Sequence, residues 1–569
     1  MSQSTLVPIP PTAADSPADP AALLPRPPGD EEVYWYFGPQ RRWVLVLSSL
    51  SFVFTAVALF QFSVRTPWLW LFLGVLVLNV AGVVMSLLDN GNPRRVSREQ
   101  HDLLVRVWRP AVLPSVDVYL PTCGEPIPVL RNAYQHVSRL GWDGRLRIWV
   151  LDDGARREVR ELAAEFGFDY VVRPDRGHLK KAGNLNHALT VSAGELIVIL
   201  DADFCPRPDL LVHLAPYFED AGVGIVQTPQ CFATDASMNW LQRAAGAAQE
   251  WFFRWIQPSR DANDAAICCG SNAMYRRAAI EEVGGFAKLD HSEDMYTGLA
   301  LLGRGYRTQY LPLLLAKGLS PDTVPAFVSQ QYRWAMGNLH LLTAREVVRV
   351  GAGRRLLLSY WNGVVSYLLT AVNVFAAPLP PLIMLALTPG DVRPWHMLPF
   401  LLPVWTWLVL IPAVSRTRWS MQVIRAHQLV GFASAAAVWH TLRGHGATWV
   451  PTGVSQGRGG LARRVSLIAF AWLGITTLAG WIGFAAGVFA YGIGNYWALA
   501  GYLLVQGYLS VPLLVDLANS LWRPDRQSIG AGNRWAATAA HRSWPELLAI
   551  TVTLGMFGLL ASGLVDGIL

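Results

Sequence analysis

Two aspartates one residue apart stand at the end of a short apolar run near the middle of the chain. Glu195–Pro206 reads ELIVILDADFCP, with Leu196–Leu200 all apolar and rich in β-branched types, then Asp201, Ala202 and Asp203. A run this short, apolar on both faces and closed by turn-forming residues, predicts a buried parallel strand. Residues i and i+2 of an extended segment point the same way, so both carboxylates can face one cation. Open α/β sheets bind ligands beyond the carboxyl ends of their strands. A hard divalent cation such as Mg²⁺ is commonly held there by one or two carboxylates and substrate phosphates. The pair therefore points to a metal–diphosphate site, although D-x-D alone is a common tripeptide.

Five further stretches carry groups of matching chemistry. Val116–Glu125, VDVYLPTCGE, is a strand pattern running into a Pro-Gly turn with an acid at its end, and Ile148–Gly154, IWVLDDG, is another closed by Asp152 and Asp153. Singly these are ordinary turns; together with Asp201 they set acids at three strand ends. His178–Asn186, HLKKAGNLN, holds two of the chain's four lysines, Lys180 and Lys181, just before a helix pattern. An ammonium there is either a solvated loop charge or a point charge for a diphosphate. Asp290–Gly298, DHSEDMYTG, sets Glu293 and Asp294 at a helix start that Ser292 is expected to cap. Such acids either complement the helix dipole or serve as a general base. Gln330–Trp334, QQYRW, offers an Arg fork for phosphate oxygens and an indole face for a sugar ring, on a segment that also reads as interfacial.

The elements that must position these groups follow from composition. Apolar residues make up 52% of 569 and charged residues only 15%, with mean hydropathy +0.29, too hydrophobic for an ordinary soluble protein. The net charge of +7 is not clustered, so a nucleic-acid partner is not expected. The five cysteines all lie in the charged central segment without C-x-x-C spacing, which suits free thiols. Residues 1–32, rich in Pro, Ala and Asp, read as a disordered tail. Trp43–Val64 and Trp68–Leu88 each suffice to span a bilayer, with Arg41-Arg42 before and Arg94-Arg95 after, a hairpin with both flanks cytoplasmic. Residues 96–350 alternate short apolar runs with amphipathic helices. Strands are expected at Val116–Leu120, Leu146–Leu151, Tyr170–Val172, Leu196–Leu200 and Gly224–Gln227, in a largely parallel sheet. Further spans are expected at Trp361–Leu387, broken by Pro378, Pro380 and Pro381, and at Met397–Val414, Val465–Ile493, Tyr496–Val515 and Glu546–Ile568. The Arg-rich stretches 415–464 and 521–545 place the C-terminus outside.

The ordered set DDG, KAGN, DAD, (S)ED and Q-x-x-R-W resembles the processive, membrane-integrated family 2 glycosyltransferases, and looks closest to bacterial cellulose synthase catalytic subunits. The resemblance covers roughly residues 40–460. It implies a GT-A-type (nucleotide-diphospho-sugar transferase) cytosolic α/β domain inserted in an α-helical multi-span membrane bundle of the bacterial plasma membrane. It also implies roles. Thr122, Glu125, Asp152 and Asp153 would contact the nucleotide. Lys181, Gln330 and Arg333 would hold the diphosphate, Asp201 would contact UDP, and Asp203 with Asp201 would bind Mg²⁺ or Mn²⁺. Asp294, beside Glu293, would be the general base; Trp334 and the Cys269-Gly270-Ser271 turn would face the acceptor.

Three departures from the family pattern bear on these roles. Ser292 replaces a Thr before the two acids. Gln331 replaces the first Arg of Q-R-x-R-W. The nearest counterpart of the gating loop, Ala447–Gly453 (ATWVPTG), lacks its Lys. No module of the cyclic-di-GMP-binding PilZ kind is expected. The implied activity is polymerisation of a UDP-sugar, with UDP-glucose the leading donor, onto a growing β-linked glycan that is exported across the bilayer, with accessory subunits possible. The alternatives are a β-1,3- or mixed-linkage glucan, chitin or hyaluronan-type synthase, or a non-processive enzyme acting on a lipid acceptor. A pure transporter is disfavoured by nearly charge-free spans.

Overall fold

In the computed structural model, residues 24–38, 42–235, 238–290, 292–342, 353–417, 419–444 and 460–522 are described. The chain enters through α1 (Arg42–Arg65) and α2 (Leu71–Asn90), then crosses into the α/β segment. There the expected strands form as β1 (Val116–Thr122), β2 (Leu146–Asp152), β3 (Asp169–Val171), β4 (Leu196–Ile199) and β5 (Val223–Gln227). Helix α3 (Lys180–Val191) joins β3 to β4, and α4 (Trp240–Trp251) follows β5. Two strands that hydropathy did not reveal complete the sheet, β6 (Ala273–Arg276) and β7 (Arg307–Tyr310), with α5 (Glu293–Leu302) between them and α6 (Val324–Leu339) after.

The order is β3-β2-β1-β4-β6-β5-β7. Strand β6 runs antiparallel to both neighbours, so the sheet is mixed rather than wholly parallel. β6 is only four residues long and two of those are Tyr275 and Arg276, which masks its period. A second, three-stranded sheet of Cys205–Pro206, Ala316–Gly318 and Cys231–Phe232 closes over one edge.

A buried polar knot fixes the amino ends of the central strands. Asp117 Oδ2 accepts from the backbone of Gly194 (2.5 Å) and Ala193 (3.1 Å) and from the Arg277 guanidinium (3.1 Å), while Oδ1 takes the Trp149 indole N–H (3.0 Å). Arg277 also reaches Ser192 and Tyr119. With that end closed by protein donors, the carboxyl ends are left for ligands.

Residues 24–37 pack as a strap on the α/β domain, so the expected tail boundary at residue 32 falls inside folded structure. Val33, Tyr36 and Phe37 are buried, Lys317 holds Glu32, and Arg207 holds Asp30. Aromatic and charged partners on the domain outweigh the Pro-rich composition.

Five helices among the described residues are long and apolar enough to cross a membrane: Leu71–Asn90, Arg354–Leu387, Pro394–Val414, Leu461–Tyr491 and Ile493–Trp522. The expected break at the prolines is present, with helix ending at Ala376 and resuming at Leu379. Helix α1 supplies 24 residues more. The candidate span Glu546–Ile568 and the gating-loop candidate Ala447–Gly453 lie outside the described residues. The expected 415–464 loop contains a 22-residue helix instead, α7 (Met421–Leu442), whose Leu429, Phe432 and Ala433 are buried against α6 and the bundle. Its small and apolar residues build a packing face that Arg425 within it obscures.

Removing the Asp117 carboxylate leaves Arg277 buried without its counter-charge. Asp117→Ala is expected to destabilise the domain by about 3 kcal/mol or more, read as a lowered melting temperature of the purified protein.

Candidate active site

Register brings the motif-bearing strand ends to one edge. Thr122 at the end of β1 faces Asp152 at the end of β2, and Tyr119 of β1 faces Ile199 of β4. Because β6 runs the opposite way with Ala273 facing Ile199, the turn that enters it, Cys269–Ser271, arrives at the same edge. Ser271 Oγ accepts the backbone N–H of Asp201 (2.9 Å), tying that turn to the D-x-D.

Lys181, in the first turn of α3, donates from Nζ to Asp201 Oδ1 (2.5 Å) and to the Gly270 carbonyl (2.8 Å). The KAGN residues explain why it can. A Cβ on Gly183 would meet Arg173 Nη1 at 2.2 Å, and Asn184 Nδ2 donates to the Leu151 carbonyl (2.8 Å), docking the helix start on the end of β2.

Gly270 has φ of +75°, a conformation that favours glycine, and a Cβ there would stand 2.7 Å from Asp294 Oδ2. The Asp294 carboxylate thus lies close against the Cys269–Ser271 turn. Helix α5 presents it, with Met295 N donating to Asp294 Oδ1 (2.8 Å). Helix α6 crosses the start of α5 at Gly337, where a Cβ would collide with Ser292 Oγ, and so brings Arg333 to the same cluster.

The electrostatics follow from crowding. Burial, then the charge of Glu293, pushes the Asp294 carboxyl up to about 7. Glu293 is raised as well, by burial, against the pull of Lys181. Asp203 rises to about 7 through burial and then the neighbouring charge of Asp201, although Leu319 N donates to its Oδ2 (2.8 Å). Burial alone would favour neutral Lys181, but Asp201 and then Glu293 outweigh it and keep the ammonium charged. Arg333 is lowered to about 10 by burial, opposed by Asp201 and Glu293. The arrangement offers a carboxyl poised near neutrality, two cations, and a pair of acids beside them. Among the described residues no three His, Cys, Asp or Glu gather to hold a metal unaided.

Not every expected site residue joins this cluster. Asp152 is fully buried and spends its oxygens on the N–H groups of Gly154 and Arg156 and on Tyr170 Oη, so it builds the turn. Asp153 is taken by Arg173 (2.6 and 2.8 Å). Thr122 Oγ1 and Cys123 N both donate to Glu125 Oε2, placing that acid at the rim of the β1 end. Ser292 sits at φ +57° and makes no side-chain cap on α5, contrary to the expected N-cap. Gln330 and Trp334 are partly buried on α6, whereas Gln331, which stands where the family pattern has its first Arg, is buried.

Two supporting residues carried no signal in the sequence. Gln227, last in β5, is fully buried; its Oε1 accepts Cys269 N (2.7 Å) and its Nε2 donates to the Ser271 carbonyl (2.8 Å), framing the Cys-Gly-Ser turn. Arg173 donates to Asp153 and to the carbonyls of His178 and Lys180, shaping the loop before Lys181. A lone Gln or Arg at a strand end marks nothing by type.

Residues 196–414 match the family model described as Glycosyl transferase family group 2. Over 237 residues, 41% of this chain and 32% of the relative, the chain is 38% identical to the cellulose synthase catalytic subunit [UDP-forming] of Xanthomonas axonopodis pv. citri. It is 34% identical over 47% of its length to cellulose synthase 1 catalytic subunit [UDP-forming] of Komagataeibacter xylinus, covering 37% of that protein. The chain thus spans about a third of the length of the curated relatives it matches. A mannosyltransferase from Pyrobaculum calidifontis, solved with GDP-Man and Mn²⁺, overlays at TM-score 0.43 with 18% identity over 65% of this chain and 97% of that one, too slight a likeness to argue from. Residues 196–414 thus match group 2 glycosyl transferases, within an α/β segment joined to helices long and apolar enough to cross a membrane.

Asp294 is more basic folded than free, so its charged form costs stability that grows as pH rises from the ordinary carboxylate range toward 7 and is fully present above. Asp294→Asn removes that cost. At pH 8 the variant is expected to melt at or above the wild-type temperature, and a drop of several degrees would contradict the crowded-carboxylate account.

Proposed function

We propose that this chain transfers glucose from UDP-glucose to the end of a growing β-linked glycan, repeats the transfer without releasing the chain, and passes the product through its membrane helices. The observation that carries the reading is Asp294, recessed against Gly270 with its carboxyl near neutrality, next to the Lys181–Asp201 pair. A base poised near the working pH best combines the deprotonated state with proton-transfer power.

In this reading the donor lies along the β1 and β4 ends, its nucleotide near Thr122 and Glu125. Lys181 and Arg333 set positive charge where the leaving diphosphate gains negative charge. Asp203 and Asp201 fit a divalent cation of the Mg²⁺ or Mn²⁺ type. Their mutual repulsion, which drives Asp203 upward, is what a cation between oxygen donors relieves, with substrate phosphates completing the ligand set. Such a cation, when bound, supplies further positive charge to the diphosphate. The acceptor hydroxyl enters beside Gly270 and gives its proton to Asp294. Its oxygen attacks the anomeric carbon on the face opposite UDP, turning an α-linked donor into a β-glycosidic bond. Trp334 offers its ring to the acceptor sugar. The bundle would sit in the plasma membrane with the α/β domain on the cytoplasmic side and the C-terminus outside, accessory subunits being compatible with this placement.

Two outcomes test this. The acid limb of kcat/KM is expected to break near pH 7, because activity falls as Asp294 becomes protonated; a limb breaking below pH 5 would move the base elsewhere. In vesicles with Mg²⁺ and radiolabelled UDP-sugars, wild type is expected to build polymer from UDP-glucose, and Asp294→Asn to lose about 10³-fold or more in rate while still binding UDP. Digestion by a β-1,4-glucanase supports cellulose; digestion only by a β-1,3-glucanase keeps the residues and changes the linkage. UDP release without polymer would transfer the reading to a non-processive enzyme.

A further inference from the structure

The strap ahead of the membrane hairpin grips both sides of the loop that carries Asp203. Just past Asp203, Cys205 and Pro206 pair antiparallel with Lys317 and Ala316, and Arg207 N donates to the Leu315 carbonyl (2.8 Å). Two residues beyond Lys317, Leu319 N donates to Asp203 Oδ2 (2.8 Å) and so orients that carboxylate. Gly318, between them, has no room for a side chain, since a Cβ would stand 2.6 Å from the Phe204 ring. The D-x-D turn and the 314–319 segment are thereby locked together.

The strap fastens to this unit from both flanks. On the Cys205 side, Asn132 Nδ2 donates to the Pro25 carbonyl (2.9 Å), and Arg207 donates to the Pro28 carbonyl (2.9 Å) and to Asp30 (2.8 Å). On the Leu319 side, Leu314 N donates to the Val33 carbonyl (3.0 Å), and Lys317 Nζ lies 3.0 Å from both oxygens of Glu32. The strap's far end is held by Arg94, just past α2, which donates to the carbonyls of Tyr36, Phe37 and Gly38. Lys317 is one of four lysines in the chain, and the side chains of the Glu32–Lys317 pair are only 24% and 15% exposed, so solvent screens it weakly. A carboxylate already held by a fixed donor meets a cation without first having to be ordered, and partners directly behind a metal ligand commonly set its affinity by about tenfold or more. Lys317 stands one step further back and acts through the backbone of Gly318 and Leu319. We propose that Glu32 and Lys317 are positioning residues for Asp203: their ion pair holds the Leu319 amide in place and so sets the affinity of the crevice for a divalent cation. This rests on the assignment of Asp203 to that cation under the proposed function.

The test reads binding rather than turnover. Full-length protein in nanodiscs, saturated with UDP, is titrated with Mn²⁺, and free Mn²⁺ is followed by its electron paramagnetic resonance signal. Glu32→Gln and Lys317→Met are each expected to weaken Mn²⁺ binding by about fivefold, somewhat less than loss of a direct partner would. UDP binding without a cation is expected to stay at the wild-type level, and melting close to it, because a single partly exposed pair contributes little to stability. The exchanged pair, Glu32→Lys with Lys317→Glu, is expected to restore most of the lost affinity, which a merely structural defect would not allow. Glu32, on the strap itself, can lose its charge without opening the domain, so Glu32→Gln alone decides the matter should the Lys317 variant not fold. Wild-type Mn²⁺ affinity in the folded single variants overturns the inference and leaves the proposed function standing. An exchanged pair as weak as the single variants overturns it too, because the loss would then not come from the pairing. A wild-type protein that takes up no Mn²⁺ with UDP overturns both, because Asp203 would then hold no cation.

Discussion

The crevice is governed by repulsion among acids. Asp201 stands within electrostatic reach of Asp203, of Glu293 and of Asp294, with Lys181 and Arg333 as the nearby cations. At an effective dielectric near 20, two like charges about 4 Å apart repel by roughly 4 kcal/mol. Left to itself the cluster would spread or protonate. What prevents spreading is a set of fixed backbone donors and contacts: Leu319 N on Asp203, Met295 N on Asp294, and Ser271 Oγ on the Asp201 backbone. Burial first, and then this repulsion, favours protonation, which is why Asp203 and Asp294 sit near 7 rather than in the ordinary range. A site that is short of positive charge when empty is suited to a ligand that brings cations with its phosphates, and to a carboxyl that must accept a proton.

The supporting layer follows from the same demand. A residue pressed by its neighbours must be braced from behind, and the braces here are buried amides and a buried guanidinium. Gln227 holds both ends of the Cys-Gly-Ser turn, so Gly270 can present its carbonyl to Lys181 and its bare Cα to Asp294. Arg173 neutralises Asp153 and collects the carbonyls of His178 and Lys180, which sets the left-handed turn at Leu179 and Lys180 from which α3 departs. Two acids expected at the nucleotide, Asp152 and Asp153, belong to this scaffold by their contacts.

What was legible in the sequence follows this division. Residues that carry charge into the crevice announce themselves, because Asp201, Lys181 and Asp294 are costly at strand ends and helix starts unless something requires them. Strand β4 was legible because burial on both faces makes it continuously apolar, and β1 and β2 because Asp117 or Arg147 alone interrupts each apolar run. β6 and β7 were not: AMYR and RTQY are short and mix polar with apolar residues, and only pairing with buried neighbours makes them strands. Helix α7 hid for a related reason, since Arg425 inside it reads as a loop charge. In the fold that guanidinium donates to the carbonyls of Tyr508 and Leu509, one of which Pro512 leaves without its helical donor. The strap at 24–37 depended on partners far along the chain that no local window contains.

That last contact bears on how the two halves of the molecule act together. Helix α6 supplies Arg333 to the crevice, and the adjacent Tyr332 hydrogen-bonds His440 of α7 (2.7 Å), while α7 through Arg425 grips the kinked Ile493–Trp522 helix. Trp240 of α4 donates to Asp516 on that same helix (2.7 Å). Further round, the buried Glu250 carboxylate accepts from Arg254 and from the backbone of Arg416 and Thr417, just past the Pro394–Val414 helix. One apolar core runs through these contacts, holding Trp240 and Phe327 with Leu429, Leu513 and Leu517. Packed interiors move between discrete arrangements rather than deforming smoothly. A displacement of these helices must therefore either carry α6 with it or break buried hydrogen bonds at Tyr332, Trp240 and Glu250. In the proposed function, where such a displacement would advance the product, the first route makes the helix that holds Arg333 and Trp334 the element through which events in the bundle reach the crevice.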